Sequence, residues 1–111
     1  LDFVPCGMNY GAGRSAGLAL CAAVSESDLP TALIAANDWL AVGLRSGLTE
    51  TASALRAAPV YSFDGLPMAS DPALEIRSLN YPIRTIVEDA IVELRRLVRH
   101  RAGRLIRYPM E

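Results

Sequence analysis

Short groups of polar residues stand where predicted strands end, and these groups are the candidates for chemistry in this chain. Asn37-Asp38 follow the apolar run TALIAA, Asp64-Gly65 follow PVYSF, and CGMNY follows LDFVP. Ligands of open α/β sheets bind just beyond the carboxyl ends of the strands, and one carboxylate can accept hydrogen bonds from two ligand hydroxyls. We therefore predict a binding edge for a small polar ligand such as a sugar. Its candidate residues are Asn37, Asp64, Met8, Asn9 and Tyr10.

The same residues also have structural interpretations. Asp64 and Gly65 form a typical turn pair, and the sequence does not decide between a turn and a ligand contact at Asp64. Asn37 is well placed to cap the following helix, with Asp38 in the first turn where the helix dipole favours a carboxylate. Capping is favoured over ligand contact for this pair, although the two roles are compatible.

Other motifs predict no further chemistry. The hexapeptide GAGRSA matches the dinucleotide pattern G-x-G-x-x-G/A, but its first glycine does not directly follow the strand and the expected acidic residue is out of place. His100 is the single histidine, and no metal-binding or catalytic motif occurs. We predict a binding module without catalytic residues, cofactor or metal, with Cys6 and Cys21 as free thiols. An enzyme using the glycine motif is the weakest hypothesis, and it predicts NADP binding.

The elements that must hold this edge alternate along the chain. Strands are expected at 1–5, 31–36, 59–63, about 73–81 and 104–109, and helices at 13–26, 38–48 and about 82–100. The last helix carries apolar residues at steps of three and four, with Pro82 in its first turn. This alternation predicts an α/β fold with a mainly parallel sheet flanked by helices.

Composition narrows the class of protein. The 111 residues are 51% hydrophobic but 6% aromatic, with a formal net charge of −1, which is typical of a soluble globular domain. No apolar run is long enough to span a membrane, and the chain does not begin like a signal peptide. We expect a cytoplasmic protein without a membrane partner. The arginines near the end of the chain are interpreted as a solvated helix face, not a nucleic-acid surface.

The ordered series of motifs resembles the effector-binding domain of the lactose/galactose-repressor (LacI/GalR) transcriptional regulators. The matching segments are ALIAANDWLAVGL and VYSFDGLPMASDPALEIRSLNYPI, and FVPCGMNYGAGRSAGLAL is similar to the family's strand, loop and helix near S-G-Y-x-A. In this alignment Gly13 stands at the start of that helix. Ser62 departs from the family's usual Gly, and Gly65 from a common second Asp.

The resemblance implies a fold and an organisation. The fold is one lobe of a type I periplasmic-binding-protein-like core, and residues 1–111 are a fragment that contains mostly the C-terminal lobe. Helix 82–100 belongs to the N-terminal lobe of the intact protein, and no DNA-binding domain is present. The apolar stripe of that helix would then lack its partner in the isolated chain.

The resemblance also implies partners and site residues. Asn37 and Asp64 match the family's effector-contacting Asn and Asp, and Met8 falls near a position where the family often stacks an aromatic side chain on the ligand, so Met there argues against an ordinary pyranose. The helix after Asp38 and the loop after Asp64 match the family's dimer interface, so a homodimer is expected. The implied function is the binding of a sugar-like effector that controls repression, with operator DNA bound through an absent domain. The alternative is a solute-binding or transport receptor of the same fold.

Overall fold

The computed structural model describes residues 2–100 and 103–110 and divides the chain into two compact units, Leu1–Leu79 and Asn80–Glu111. The helices are α1 (Tyr10–Ala23), α2 (Asp38–Thr49) and α3 (Ile83–His100), and the strands are β1 (Leu33–Ile34), β2 (Val60–Asp64) and β3 (Ile76–Asn80). Short 3-10 helices occupy Glu26–Asp28, Ala54–Ala57, Pro67–Ser70 and Pro72–Leu74. Within the described ranges, no helix is both long enough and apolar enough to cross a membrane.

The strands form a three-stranded sheet in the order β1-β2-β3. β1 and β2 are parallel, with Leu33 opposite Val60 and Ile34 opposite Tyr61. The amide of Ala35 donates to the carbonyl of Tyr61 at 2.8 Å, so the ladder continues one residue past β1. A parallel pair places the carboxyl ends of its strands at one edge, where Asn37-Asp38 and Asp64-Gly65 were predicted to meet.

Two predicted strands are wrong. Residues 2–5 are exposed and form no strand, and Leu1 of that prediction lies outside the described residues. Residues 104–109 are also irregular. In both segments an apolar composition was the signal, but a strand needs a neighbouring strand to satisfy its backbone groups. Residues 104–109 instead make side-chain and amide hydrogen bonds to α3, as described below.

Helix α1 begins three residues earlier than predicted. Asn9 is its N-cap, with the side-chain oxygen accepting from the amide of Ala12 at 2.9 Å. Gly13, expected at the helix start, lies in the second turn and is buried. The cap explains the shift, because an Asn side chain satisfies one of the amides that have no partner within the first turn.

Glycines let α1 and α2 pack with their backbones in contact. Gly13 and Gly17 of α1 face α2, and Gly43 and Gly47 of α2 face α1. A Cβ added at Gly43 would lie 2.0 Å from the carbonyl oxygen of Tyr10, and one at Gly13 would lie 2.2 Å from that of Leu40. Gly13 of the GAGRSA motif and Gly17 just after it therefore serve helix packing, whereas Gly11 does not face α2.

The core of the first unit lies between α2 and the sheet, and α1 covers the other side of α2. The buried apolar residues that form it are Ala35, Leu40, Ala41, Leu44, Leu48, Leu55 and Val60. One cation is buried beside this core. Arg45 is 4% exposed and donates to the carbonyl oxygens of Arg56, Ala58 and Glu75 at 2.7 to 3.3 Å. Its Nε is the one buried side-chain nitrogen or oxygen without a partner in the described part of the chain.

The second unit is α3 with residues 103–110 lying along it. The carboxylate of Glu93 accepts from the guanidinium groups of Arg96 and Arg104 and from the amide of Arg104. The side-chain hydrogen bond from Arg96 is the main cause of a lowered pKa at Glu93. Tyr108 donates to Asp89 at 2.8 Å, and burial, followed by this bond, raises the pKa of Tyr108. On α3 itself, Glu93 and Arg96 form an ion pair three residues apart.

Candidate functional site

The carboxyl-terminal edge of the sheet gathers the candidate residues through α2. This helix starts directly after β1, and its N-cap Asn37 and first residue Asp38 each make hydrogen bonds to other segments. Asn37 reaches the loop before α1, and Asp38 reaches β2, β3 and the loop after β2. The start of α2 is therefore the point at which the separate parts of the predicted site are joined.

Asn37 has two structural hydrogen bonds. Its side-chain oxygen accepts from the amide of Leu40 at 2.8 Å, which confirms the predicted cap. Its side-chain nitrogen donates to the carbonyl oxygen of Met8 at 3.0 Å. This second bond brings the loop before α1 to the end of β1. Met8 itself is 58% exposed, so its side chain is accessible beside Asn37.

Asp38 is fully buried, and both oxygens of its carboxylate accept hydrogen bonds. One carboxylate oxygen accepts from the hydroxyls of Ser62 at 2.5 Å and Ser78 at 2.6 Å. The other accepts from the amide of Leu66 at 2.6 Å. A buried carboxylate needs such donors to offset its lost hydration, and the N-terminus of α2 favours its charge as well. Asp38 is thus withdrawn from any ligand.

Asp64 presents the opposite environment. It ends β2 with an exposed side chain and a φ of 109°, and the following Gly65 has a φ of 68°. Among the described residues its carboxylate has no hydrogen-bond or ion-pair partner. The Asp64-Gly65 turn predicted from the sequence is present. A positive φ at a non-glycine residue is uncommon, and such strain clusters at functional sites.

Asn9 and Tyr10 are turned toward the helices. The side-chain oxygen of Asn9 caps α1, and the hydroxyl of Tyr10 bonds to that of Ser46 on α2 at 3.0 Å. Both side chains remain exposed. Of these residues, Met8 is hydrogen-bonded to Asn37 directly. The polar side-chain atoms of Asn9 and Tyr10 instead cap α1 and bond to α2, respectively.

The sequence did not predict the roles of Ser62 and Ser78. Both hydroxyls bond to Asp38, and the hydroxyl of Ser78 also accepts from the amide of Gly65 at 2.9 Å. A signal was available for Ser62, because Val60 and Ser62 alternate with more exposed residues and share the buried face of β2. A buried serine must find a hydrogen-bond partner, and the polar residues at the end of β1 were candidates.

The chemistry at this edge is that of hydrogen bonding. Asp64 offers two exposed carboxylate oxygens, and Met8 offers an exposed apolar side chain beside Asn37. This combination suits a polar ligand with an apolar face. Within residues 2–100 and 103–110, no group of three or more His, Cys, Asp or Glu side chains is placed to hold a metal ion.

Comparison with known proteins gives one similarity of fold. No protein-family model and no curated protein matches the sequence. A crystal structure of the Lac repressor bound to ONPG in the repressed state is similar to this chain, with a TM-score of 0.75 and 20% sequence identity. The similarity covers 94% of this chain and 31% of that chain, so this chain spans about a third of that repressor's length. The predicted α/β fold is confirmed, and it is similar to the fold of part of that chain.

Proposed function

Because the chain shares the fold of part of a Lac repressor chain, we propose that it is the effector-binding part of a bacterial DNA-binding transcriptional regulator. The observation that carries this proposal is the exposed Asp64 carboxylate on a strained turn, at the edge where Asn37 and Met8 also meet. This placement agrees with the ligand contacts that the sequence resemblance implies for Asn37, Asp64 and Met8.

The proposed mechanism is a ligand-controlled shift between two arrangements of a longer protein. A small polar effector, sugar-like in its hydroxyl groups, binds at the edge of this lobe and is enclosed by a second lobe outside this chain. The ligand shifts the equilibrium toward the closed arrangement because it binds that arrangement more tightly than the open one. The closed arrangement then changes the affinity of the DNA-binding parts for the operator. In this proposal α3 packs with the second lobe, and its exposed stripe of Ile83, Val87, Ile91, Leu94 and Val98 is covered there.

We also propose that the regulator is a homodimer in the cytoplasm. The resemblance assigns the interface to α2 and the loop after Asp64. In the first unit α2 is covered along most of its length, and Trp39, 53% exposed, lies in its first turn. An exposed aromatic residue at this position supports a contact with a second copy, because aromatic side chains are enriched in such interfaces.

The test is an induction assay on the intact regulator. A thermal-shift screen with mono- and disaccharides first identifies a ligand that stabilises the protein. Asp64→Ala and Asp64→Asn are then compared with the wild type in a gel-shift titration of operator DNA. We expect Asp64→Ala to fold normally, because the side chain is exposed, but to lose the ligand's effect on DNA binding. Unchanged induction in Asp64→Ala contradicts the proposal.

A solute-binding or transport receptor is the second candidate, because the edge geometry suits either role. The residues that precede Leu1 in the intact protein separate the two. A helix-turn-helix there supports the regulator, and a signal peptide supports the receptor.

A further inference from the structure

We propose that Asp38 is the positioning residue of the candidate site, which fixes the turn at residues 64–66 and thereby the direction in which Asp64 is presented. The proposal rests on the proposed function for the role of Asp64 as a ligand contact. Asp38 itself is fully buried and cannot reach a ligand. Its effect on binding would therefore act through the turn.

The first argument is that Asp38 holds both amides that follow Asp64. The amide of Leu66 donates directly to one oxygen of the Asp38 carboxylate at 2.6 Å. The amide of Gly65 donates to the hydroxyl of Ser78 at 2.9 Å, and that hydroxyl donates to the other oxygen of Asp38 at 2.6 Å. Two consecutive amides of the turn are thus anchored to one carboxylate, one directly and one through a serine.

The second argument is that the turn needs such anchors. Asp64 has a φ of 109° and Gly65 a φ of 68°. The first value is unfavourable for any residue with a side chain, so it persists where the surroundings hold the backbone in place. Asp38 starts α2 and is held by the helix, and its buried carboxylate supplies a fixed point from which the turn is held.

The third argument is that Asp38 is itself held in place. The hydroxyl of Ser62 donates to the same oxygen of Asp38 as that of Ser78 does. With both serines and Leu66, the carboxylate receives three donors. A carboxylate accepts from all three at once, since each of its oxygens has two lone pairs. The Ser62 hydroxyl therefore orients Asp38 without touching the turn.

Ser62 and Ser78 give a matched pair of variants. Ser62→Ala and Ser78→Ala each remove one donor of similar length to the same oxygen of Asp38. Of the two hydroxyls, that of Ser78 alone also bonds to a turn amide within the described residues. Ser78→Ala removes the acceptor of the Gly65 amide whatever Asp38 does, so the amide of Leu66, whose hydrogen bond is to Asp38, is the readout for Asp38. A positioning role predicts that both serine substitutions loosen the Asp38 carboxylate and speed exchange at Leu66. A purely structural role predicts that Leu66 exchanges no faster than the reference amides of the sheet.

The measurement is amide hydrogen exchange by NMR on the 111-residue chain. We expect the amide of Leu66 to exchange about threefold faster or more in both variants than in the wild type, and the amide of Gly65 to respond most in Ser78→Ala, which removes its acceptor. The amides of Leu33 and Ala35, which bond within the β1-β2 ladder, are the internal reference for general opening of the sheet. Exchange of Leu66 that is unchanged from the wild type in both variants, relative to these reference amides, overturns the proposal.

Asp38 is tested directly by two substitutions. Asp38→Ala should release the amides of Gly65 and Leu66 together, and Asp38→Asn should restore protection of Leu66, because an amide oxygen can still accept that bond. Where Asp38→Ala does not fold, the serine pair decides. A ligand screen in which Asp64→Ala behaves like the wild type contradicts the proposed function but does not alter the exchange result. The two proposals therefore fail separately.

Discussion

Substitution of Gly43 by alanine should destabilise the chain, although alanine is the better helix former. Alanine in place of glycine inside a helix gains about 1 kcal/mol. The added Cβ, however, would lie 2.0 Å from the carbonyl oxygen of Tyr10, whereas ordinary contact begins at 3.4 Å. The helices must therefore part by roughly 1.4 Å, and no rotamer change can relieve this clash because the neighbouring atom belongs to the backbone of α1.

The separation of α1 and α2 sets the size of the effect. Overpacking typically costs 1–3 kcal/mol, and here the backbones of two packed helices must move. We expect a net loss of about 2 kcal/mol for Gly43→Ala after the helical gain, which corresponds to a fall of about 10 °C in Tm for a domain of this size. Urea and thermal unfolding followed by circular dichroism at 222 nm measure both quantities.

Gly11 supplies the matched control. It lies in the first turn of α1, and a Cβ there would meet the side-chain oxygen of Asn9 at 3.5 Å, an ordinary contact. Gly11→Ala should leave the free energy of unfolding unchanged or raise it by up to about 1 kcal/mol. The double variant Gly13→Ala with Gly43→Ala should cost less than the sum of the single changes, because one separation relieves both clashes. A Gly43→Ala chain as stable as the wild type would refute the reasoning.

Three further predictions concern individual side chains. Arg45→Lys and Arg45→Met should each lower the free energy of unfolding by about 2 kcal/mol in urea titrations, because neither side chain reproduces a guanidinium that bonds to three carbonyl oxygens. Asp64→Gly should raise the free energy of unfolding by about 1 kcal/mol relative to Asp64→Ala, because glycine accepts a φ of 109°; equal values in chemical denaturation would contradict this. The lowered pKa of Glu93 stabilises the folded chain above the ordinary glutamate pKa of 4.5, and this contribution is lost as the pH falls through the lower pKa of the folded state. Between about pH 5 and pH 2, roughly the range in which carboxylates titrate, the Tm of Glu93→Gln should therefore fall less than that of the wild type. Parallel curves of Tm against pH for the two proteins would contradict this prediction.

Local signals in the sequence predicted local structure well. The Asn37 cap and the start of α2 agree with the prediction, because a cap is decided within four residues. The helix predicted from about 82 to 100 is found as Ile83–His100 for a similar reason, since its apolar residues repeat at helical spacing. Strand β2 was predicted within one residue of its ends, bounded by Pro59 and the Asp64-Gly65 turn.

Contacts between distant residues were not predicted. Asp38 was interpreted as a first-turn residue, and its bonds to Ser62 and Ser78, 24 and 40 residues away, depend on how the strands are placed. The facing glycines of α1 and α2 depend in the same way on helix packing. Their spacing could be read from the sequence, because Gly13 and Gly17 are four residues apart, as are Gly43 and Gly47. Small residues four apart in two successive helices indicate close helix contact, provided that the two helices are neighbours.

Composition misled the prediction at both ends of the chain. The segments LDFVP and RLIRYP contain apolar residues of strand length, yet residues 2–5 and 104–109 are irregular. In the second segment, side chains decide the path, because Arg104 bonds to Glu93 and Tyr108 to Asp89. The residue pattern of a segment shows whether it can form a strand. Whether it does depends on a neighbouring strand from another part of the fold.

The buried Arg45 has a consequence for the order in which the chain folds. Its three acceptors, the carbonyl oxygens of Arg56, Ala58 and Glu75, lie 11 to 30 residues further along the chain. The guanidinium cannot leave water favourably until the segment before β2 and the start of β3 have both arrived. If its hydrogen bonds form after the main folding barrier, Arg45→Met should speed unfolding much more than it slows folding, and Arg45 then chiefly lengthens the lifetime of the folded chain.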